Sequence, residues 1–424
     1  MDRVQYSADQ MRAIDGNEEH KIIIAPAGSG KTATIVGCIH KCRKEHPDYH
    51  IVAITFTRKA AAELQNRIGA INNIEVSTIH SWAYRELHRL GSEYNFKVEL
   101  LEEEAIRDII KKLCHRRRQY YINQFQLYSY IMGNYNIDVD DNLKHLYEAL
   151  RNDYITFKRN NGLYDFTDLP TYLYDKLTEH GEVIRSVDAL FVDEFQDIDP
   201  VQFCLFNMVI SKMECFIGDP NQAIYAFRGA IEDVFYELDE RENYTYYHLD
   251  KNYRSHQEIM DYASTFLKEA RVSNTNKRII SPIDIEELLP SDVTCMRGYG
   301  GQVYSMQNPS FSRDLIHDTQ CDTSLLLRTF LQDPATQTLC RANKQVKKLE
   351  SLGINRVSTI HQAKGLEYGN VILVNFDCDC TEETNVAYVG ATRAKDTLII
   401  ADYEVLVCLI CQNDIKQPIA KKLF

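Results

Sequence analysis

Ile22-Ile23-Ile24-Ala25-Pro26-Ala27-Gly28-Ser29-Gly30-Lys31-Thr32 is the stretch on which the reading of this chain turns. Its apolar start suits a buried strand, and the Gly-rich turn that follows opens into Ala33-Thr34-Ile35-Val36, a helix-compatible segment. Strand, Gly-rich turn and helix together make a phosphate cradle, a P-loop. Gly28 and Gly30 let the backbone approach a phosphate with no Cβ in the way. Exposed N–H groups and the helix dipole favour the anion, Lys31 adds positive charge, and Thr32 can ligate Mg²⁺. Ala25 stands where the first Gly of such loops is usual. Nucleotide binding is the expectation from which the rest is read.

The chain has 424 residues, enough for two or three domains with sizeable cores, and its 44% hydrophobic and 26% charged content suits a soluble globular protein. No window approaches 18 consecutive apolar residues, and Met1-Asp2-Arg3-Val4-Gln5 lacks an export pattern, so a cytoplasmic protein without a membrane partner is expected. The 12 cysteines are scattered; only Cys38/Cys42, Cys378/Cys380 and Cys408/Cys411 come close in sequence. Reduced, buried thiols and no structural metal are therefore expected. A net charge of −13 argues against indiscriminate coating of nucleic acid, although a local positive groove can still hold a phosphate backbone.

Before the loop, Tyr6-Ser7-Ala8-Asp9-Gln10 leads into a helix, and the Gln10 amide has the donor and acceptor needed to read an adenine edge or, alternatively, to sit on a helix surface. Ile51 to Thr57 reads as a second buried strand, followed by a helix from Arg58 to Arg67, an order that predicts a parallel α/β sheet with ligands at the strands' carboxyl ends. Phe56 at such an end could stack a base or belong to the core. Val76-Ser77-Thr78-Ile79-His80 reads as a third strand. Residues 88–160 turn charged, Tyr-rich and helix-periodic, as a helical insertion would. Within them the run from Lys111 to Arg118, followed by Tyr120 and Tyr121, suits either a single-stranded nucleic acid or a solvated helix face. The α/β pattern is expected to resume at Tyr164-Asp165-Phe166-Thr167-Asp168-Leu169. Ala189-Leu190-Phe191-Val192 then runs into two carboxylates, Asp193 for a metal and Glu194 to polarise an attacking water. A further strand, Cys215-Phe216-Ile217-Gly218, enters a polar turn containing Gln222, Tyr225, Phe227 and Arg228.

This ordered set resembles the UvrD/Rep/PcrA family of superfamily-one helicases. The resemblance is carried by Gln10, residues 25–32, Thr-Phe-Thr-Arg-Lys-Ala-Ala-Ala-Glu (55–63), Thr78 with His80, Val-Asp-Glu-Phe-Gln-Asp (192–197) and the 218–230 turn. It continues through Asn-Tyr-Arg-Ser (252–255), Thr-Ile-His-Gln-Ala-Lys-Gly-Leu-Glu-Tyr (359–368) and Ala-Tyr-Val-Gly-Ala-Thr-Arg-Ala (387–394). It implies an α/β protein of two recA-like domains with parallel sheets, ATP and Mg²⁺ in the cleft between them, and single-stranded or tailed duplex DNA across their tops. The implied layout is 1–87 for the first part of the first domain, 88–160 for the insertion, 161–248 for its second part and 249–424 for the second domain. On this resemblance Ala25, Pro26, Ala27, Gly28, Ser29, Gly30, Lys31 and Thr32 hold the phosphates, Thr32 and Asp193 the metal, and Glu194 the water. Gln222, Arg254 and Arg393 contact the γ-phosphate; Tyr253 stacks on adenine, Gln10 reads its edge and Glu367 takes the ribose. Phe56, Thr78, His80, Tyr225, Phe227, Arg228, Thr359 and His361 line the strand.

Three departures stand out. Pro26 replaces the loop's usual second Gly, Ala33 follows Thr32 where an Arg is common, and Phe227 replaces a Trp. Only residues 331–356 separate Leu325-Leu326-Leu327-Arg328-Thr329 from the Val357 strand, so the family's large second insertion is expected to be absent or minimal. The end of the chain soon after Arg393 leaves the expectation of no appended tail. Translocation 3′ to 5′ on single strands is implied, with unwinding less secure. The motif spacing and Tyr247-His248-Leu249 also resemble the helicase-like B protein of the Gabija antiviral system, which implies as an alternative a DNA-sensing NTPase that regulates a partner nuclease.

Overall fold

The computed structural model describes residues 5–119, 121–133, 139, 141–226, 229–231, 234–239, 243–273, 293–306, 323–376, 381–403 and 406–407. In chain order its strands are β1 (His20–Ile24), β2 (Ile51–Thr55), β3 (Ile74–Thr78), β4 (Ala189–Val192), β5 (Met213–Gly218), β6 (Thr245–His248), β7 (Lys251–Asn252), β8 (Thr294–Cys295), β9 (Gln302–Met306), β10 (Thr336–Cys340), β11 (Val357–Thr359), β12 (Tyr368–Val374) and β13 (Ala394–Ala401). The chain divides into two compact units, one of Met1–Pro47, Phe191–Ile198 and Met213–Phe424, the other of Asp48–Leu190 and Asp199–Lys212.

In the first unit β1 pairs in parallel with β5 on one side and β6 on the other, Ile23 lying opposite Ile217 and Tyr247. Ile22, Ile23 and Ile24 are buried, which is why this strand reads as an unbroken apolar run rather than an alternating one. A second sheet in the same unit has the order β11-β10-β12-β13-β9, every pair parallel. Its core gathers Leu327, Leu349, Ile372 and Ile399. The fold is α/β with parallel sheets, the architecture of two recA-like domains.

The second unit pairs β2 with β3, also parallel. Its insertion is helical in Glu103–Arg116, Gln124–Ile131 and Asp141–Asn161. Ile106, Ile110 and Leu113 recur at helical spacing and pack with Leu127, Tyr147, Leu150 and Tyr154. The basic run divides as an amphipathic helix should: Leu113 and Cys114 face this core while Lys111, Lys112 and Arg116 are exposed, and Arg117 pairs with Asp153. Tyr121 is exposed; Tyr120 lies outside the described residues.

One segment differs from its reading and a second refines it. The third strand stops at Thr78, whose hydroxyl accepts from the Ser81 N–H and starts the helix Ile79–Tyr94, so His80 sits in a first helical turn. Tyr164 to Leu169 contains no strand. Asp165 accepts from the Thr167 N–H and Asp168 from the Asp165 N–H, and this reciprocal cap makes a 3₁₀ turn, Phe166–Asp168, that feeds the helix Leu169–His180. No described helix is long and apolar enough to cross a membrane. Among the cysteine pairs, Cys38 and Cys42 are buried thiols not joined in a disulfide, while Cys378, Cys380, Cys408 and Cys411 lie outside the described residues.

Candidate active site

The loop between β1 and the helix Lys31–Glu45 turns on two left-handed glycines, Gly28 (φ 73°) and Gly30 (φ 85°). A side chain at either would collide as well as strain: a Cβ on Gly28 would lie 2.7 Å from Asn252 Nδ2, and one on Gly30 2.5 Å from Gln10 Nε2. Gln10 is buried and braces the loop. Its Nε2 donates to the Ser29 carbonyl at 3.0 Å and its Oε1 accepts from the Ser7 N–H at 2.9 Å. The acceptor expected to face an adenine edge is therefore engaged in capping its own helix. Ser29 is 1% exposed and its Oγ has no hydrogen-bond partner among the described residues, an orphaned polar atom of the kind a phosphate oxygen would satisfy.

The carboxylates follow β4. Asp193 is buried and its Oδ1 accepts from the Glu194 N–H at 2.9 Å. Glu194 takes a left-handed backbone (φ 54°, ψ 43°), which for a residue with a Cβ stores roughly 1–3 kcal/mol. Its Oε2 lies 3.8 Å from Lys31 Nζ and accepts from Gln196 Nε2 at 2.6 Å. Burial works against its charge, but Lys31, Lys364, Gln196 and Arg393 outweigh burial and bring its pKa down to about 2. Asp197 goes the other way: burial pushes it up to about 6 although Lys364 Nζ donates to both its oxygens, at 2.7 and 2.5 Å. One carboxylate is thus a permanent anion and its neighbour titrates near neutrality.

Residues after β6 and in the second sheet converge on the same loop. Asn252 is fully buried; its Nδ2 donates to the Ala27 carbonyl at 2.6 Å, and its Oδ1 accepts from the N–H groups of Arg254 and Ser255, both at 2.8 Å. The Tyr253 N–H donates to the Gly28 carbonyl at 2.9 Å while its ring stays exposed, as a stacking face needs to be. Arg254 packs its Cβ against Gly28 and donates to Glu367 at 3.0 Å and to the Thr392 carbonyl at 3.3 Å. Glu367 also pairs with Lys395, and although burial opposes its charge, the two cations hold its pKa low. Its carboxylate, expected to take a ribose hydroxyl, is already shared by two cations. Arg393 is 1% exposed and reaches the Val389 carbonyl (2.9 Å), the Leu366 carbonyl (3.2 Å), Thr392 Oγ1 (3.2 Å) and Gln222 Oε1 (3.4 Å). Burial, and then the neighbouring Arg254, bring its pKa down to about 9. Gln222 in turn donates to Asp219 at 2.6 Å.

Lys31, Glu194, Gln222, Arg254 and Arg393, far apart in sequence, thus belong to one connected cluster. Such a cluster can cradle a polyphosphate, orient a water and meet developing negative charge with buried cations. Residues 6–243 match the UvrD/REP helicase N-terminal domain and residues 313–404 the UvrD-like helicase C-terminal domain. The chain belongs to the UvrD/REP helicase family. Its similar curated relatives include a protein of Mycoplasma capricolum provisionally named a DNA helicase II homologue, 31% identical over 61% of this chain and 40% of that protein. Others are Bacillus subtilis YjcD, provisionally named an ATP-dependent DNA helicase (28%; 63% and 39%), and the ATP-dependent DNA helicase PcrA of Staphylococcus aureus (29%; 62% and 40%). The chain spans about 40% of the length of these relatives.

The remaining candidates of this UvrD/REP chain fall into two groups. In the second unit Thr78 caps a helix, and the His80 ring stacks on Phe166 at 5.7 Å with burial pushing its pKa down; Phe56 is half-buried. In the first unit Thr359 caps the helix Ile360–Ala363, His361 Nε2 lies 3.2 Å from the Ile224 carbonyl, and Tyr225 is buried with Lys364 Nζ 4.8 Å over its ring. Phe227 and Arg228 lie outside the described residues. Asn252, Asp197 and Lys364 were missed by reading the sequence. Each stands inside a quoted motif beside an assigned residue, and only folding shows what its polar atoms touch.

Proposed function

We infer that this chain is an ATP-dependent DNA motor that hydrolyses ATP at the Lys31/Glu194 cluster and moves 3′ to 5′ along single-stranded DNA. The observation that carries the reading is Arg393: a buried guanidinium whose four hydrogen bonds all go to neutral oxygens and which makes no ion pair among the described residues. A cation held this way is costly without an anion, and a terminal phosphate supplies one. Arg254, also from the proposed second domain 249–424, stands against Gly28 and is the second such donor.

In this reading Gly28 to Thr32 cradle the phosphates, Thr32 and Asp193 hold Mg²⁺, Tyr253 stacks on the base, and Gln222 links the phosphate to Arg393. Mg²⁺, when bound, neutralises charge on the phosphate oxygens. Glu194, ionised at any working pH, orients and polarises the attacking water. Lys364 spans the Asp197 carboxylate, the Gln222 carbonyl (2.7 Å) and the Tyr225 ring, so it connects the hydrolytic carboxylates to aromatic and imidazole groups suited to a strand. Phe56, Thr78, His80, Tyr225, Phe227, Arg228, Thr359 and His361 are assigned to that strand. No observed contact favours the nuclease-partner alternative.

ATP turnover with and without oligonucleotide tests this, alongside strand displacement on 3′- and 5′-tailed duplexes. DNA should stimulate turnover, and Glu194→Gln should lower it by about 10²-fold or more while nucleotide still binds. Undiminished turnover in Glu194→Gln would remove the assignment.

A further inference from the structure

The helix Thr381–Ala391 and the residues just after it bring polar groups to the phosphate cluster. Asn385 Nδ2 donates to the Ala223 carbonyl at 3.1 Å, and Arg393 reaches Gln222. Between them in the same segment, Tyr388 is fully buried and its hydroxyl proton has no acceptor among the described residues. Phenylalanine would fill the same volume without an orphaned donor, and burying such a donor is unfavourable. Asp219, Arg393 and Arg254 of the cluster act on this phenol through their charges, and the Ala27 backbone hydrogen-bonds its oxygen. Burial, the largest influence, pushes its pKa far up, so it stays a neutral donor. The Ala27 carbonyl is occupied by Asn252, and the loop's other orphaned hydroxyl is Ser29 Oγ. Two buried hydroxyls whose protons have no acceptor among the described residues therefore attend one loop.

We propose that the Tyr388 hydroxyl is a triphosphate-specific contact: it donates to the terminal phosphate of a bound nucleoside triphosphate and has no corresponding contact to a diphosphate. The placement argues for the outermost phosphate. Ala27 precedes the Gly28 to Gly30 turn whose N–H groups would cradle the inner phosphates, and Tyr388 shares its segment with Arg393, the cation assigned above to the terminal phosphate. The proposal rests on the reading of the loop as a nucleotide site and adds to it a discriminating residue on a different element.

The test is equilibrium binding of Mg-ADP and of the non-hydrolysable β,γ-imido analogue of ATP to the wild-type chain and to Tyr388→Phe, with melting measured without nucleotide. The variant should lose about three- to tenfold in affinity for the analogue, keep its affinity for ADP, and melt no lower than wild type. Unchanged analogue affinity overturns the proposal. So does an equal loss for both nucleotides, or a lower melting temperature, either of which makes the hydroxyl a structural support of the loop. A wild-type chain that binds neither nucleotide removes the nucleotide-site reading and this contact with it, a failure distinct from one confined to the variant.

Discussion

Glu194 and Asp197 stand three residues apart, and burial disfavours the charge of each, yet one ends at about 2 and the other at about 6. The difference lies in the count of cations against anions. Glu194 feels Lys31, Lys364 and Arg393, whereas Asp197 has Lys364 on both oxygens but also the charge of Glu194. For Asp197 the folded pKa lies above the unfolded 3.8, so its contribution to stability is whole below 3.8 and is lost as pH rises through 6. Wild type should therefore lose melting temperature relative to Asp197→Asn as pH is raised across that window. A difference that stays flat would mean that Lys364 keeps Asp197 ionised throughout. For Glu194 the sign is reversed: its contribution is present above the unfolded 4.5 and is lost only as pH falls toward 2.

At the scale of elements, one device appears twice. β3 and β11 both end in Ser-Thr and run on into Ile-His, and in both the Thr leaves the strand in extended backbone and caps a helix that places the His in its first turn (Thr78 with His80, Thr359 with His361). Two chain segments far apart thus bring the same pair of side chains to the carboxyl end of a parallel strand, where such sheets bind ligands. The P-loop, by contrast, is held from outside its own element. Asn252 follows β6 and ties the Ala27 carbonyl to the backbone of Arg254 and Ser255. Asn252→Ala leaves a carbonyl and two N–H groups unpaired in a fully buried place and should cost about 3 kcal/mol in denaturant unfolding. Nucleotide affinity should fall with it; a loss under 1 kcal/mol would mean that water replaces the side chain easily.

For the whole molecule, the cluster joins residues from positions 10 to 393, so a ligand that engages it should stabilise the chain well beyond the loop. At a free concentration of about 100 times its dissociation constant, a nucleotide bound only to the folded chain adds about 2.7 kcal/mol. A Mg-ATP analogue should therefore raise the melting temperature measurably, and Arg393→Ala should shrink that shift more than it changes melting of the free protein. An analogue shift that survives Arg393→Ala in full would separate the guanidinium from the phosphate. Acidic overall, at −13, the chain is expected to meet DNA through local groups rather than through its mean field.

By itself the sequence determined the P-loop, the parallel α/β architecture, the helical insertion and the family, because these depend on local periodicity and on motif order. It did not show that Asp165 and Asp168 cap a 3₁₀ turn where the α/β pattern resumes, or that the Gln10 side-chain oxygen accepts from the Ser7 N–H. Only the tertiary structure decided that Asn252 and Gln10 brace the loop, that Lys364 sits on Asp197, and that among the described residues the buried Arg393 has no ion pair and the buried Tyr388 hydroxyl no acceptor. Burial and pairing are properties of neighbours brought together across hundreds of residues, and no local pattern encodes which polar group will face which.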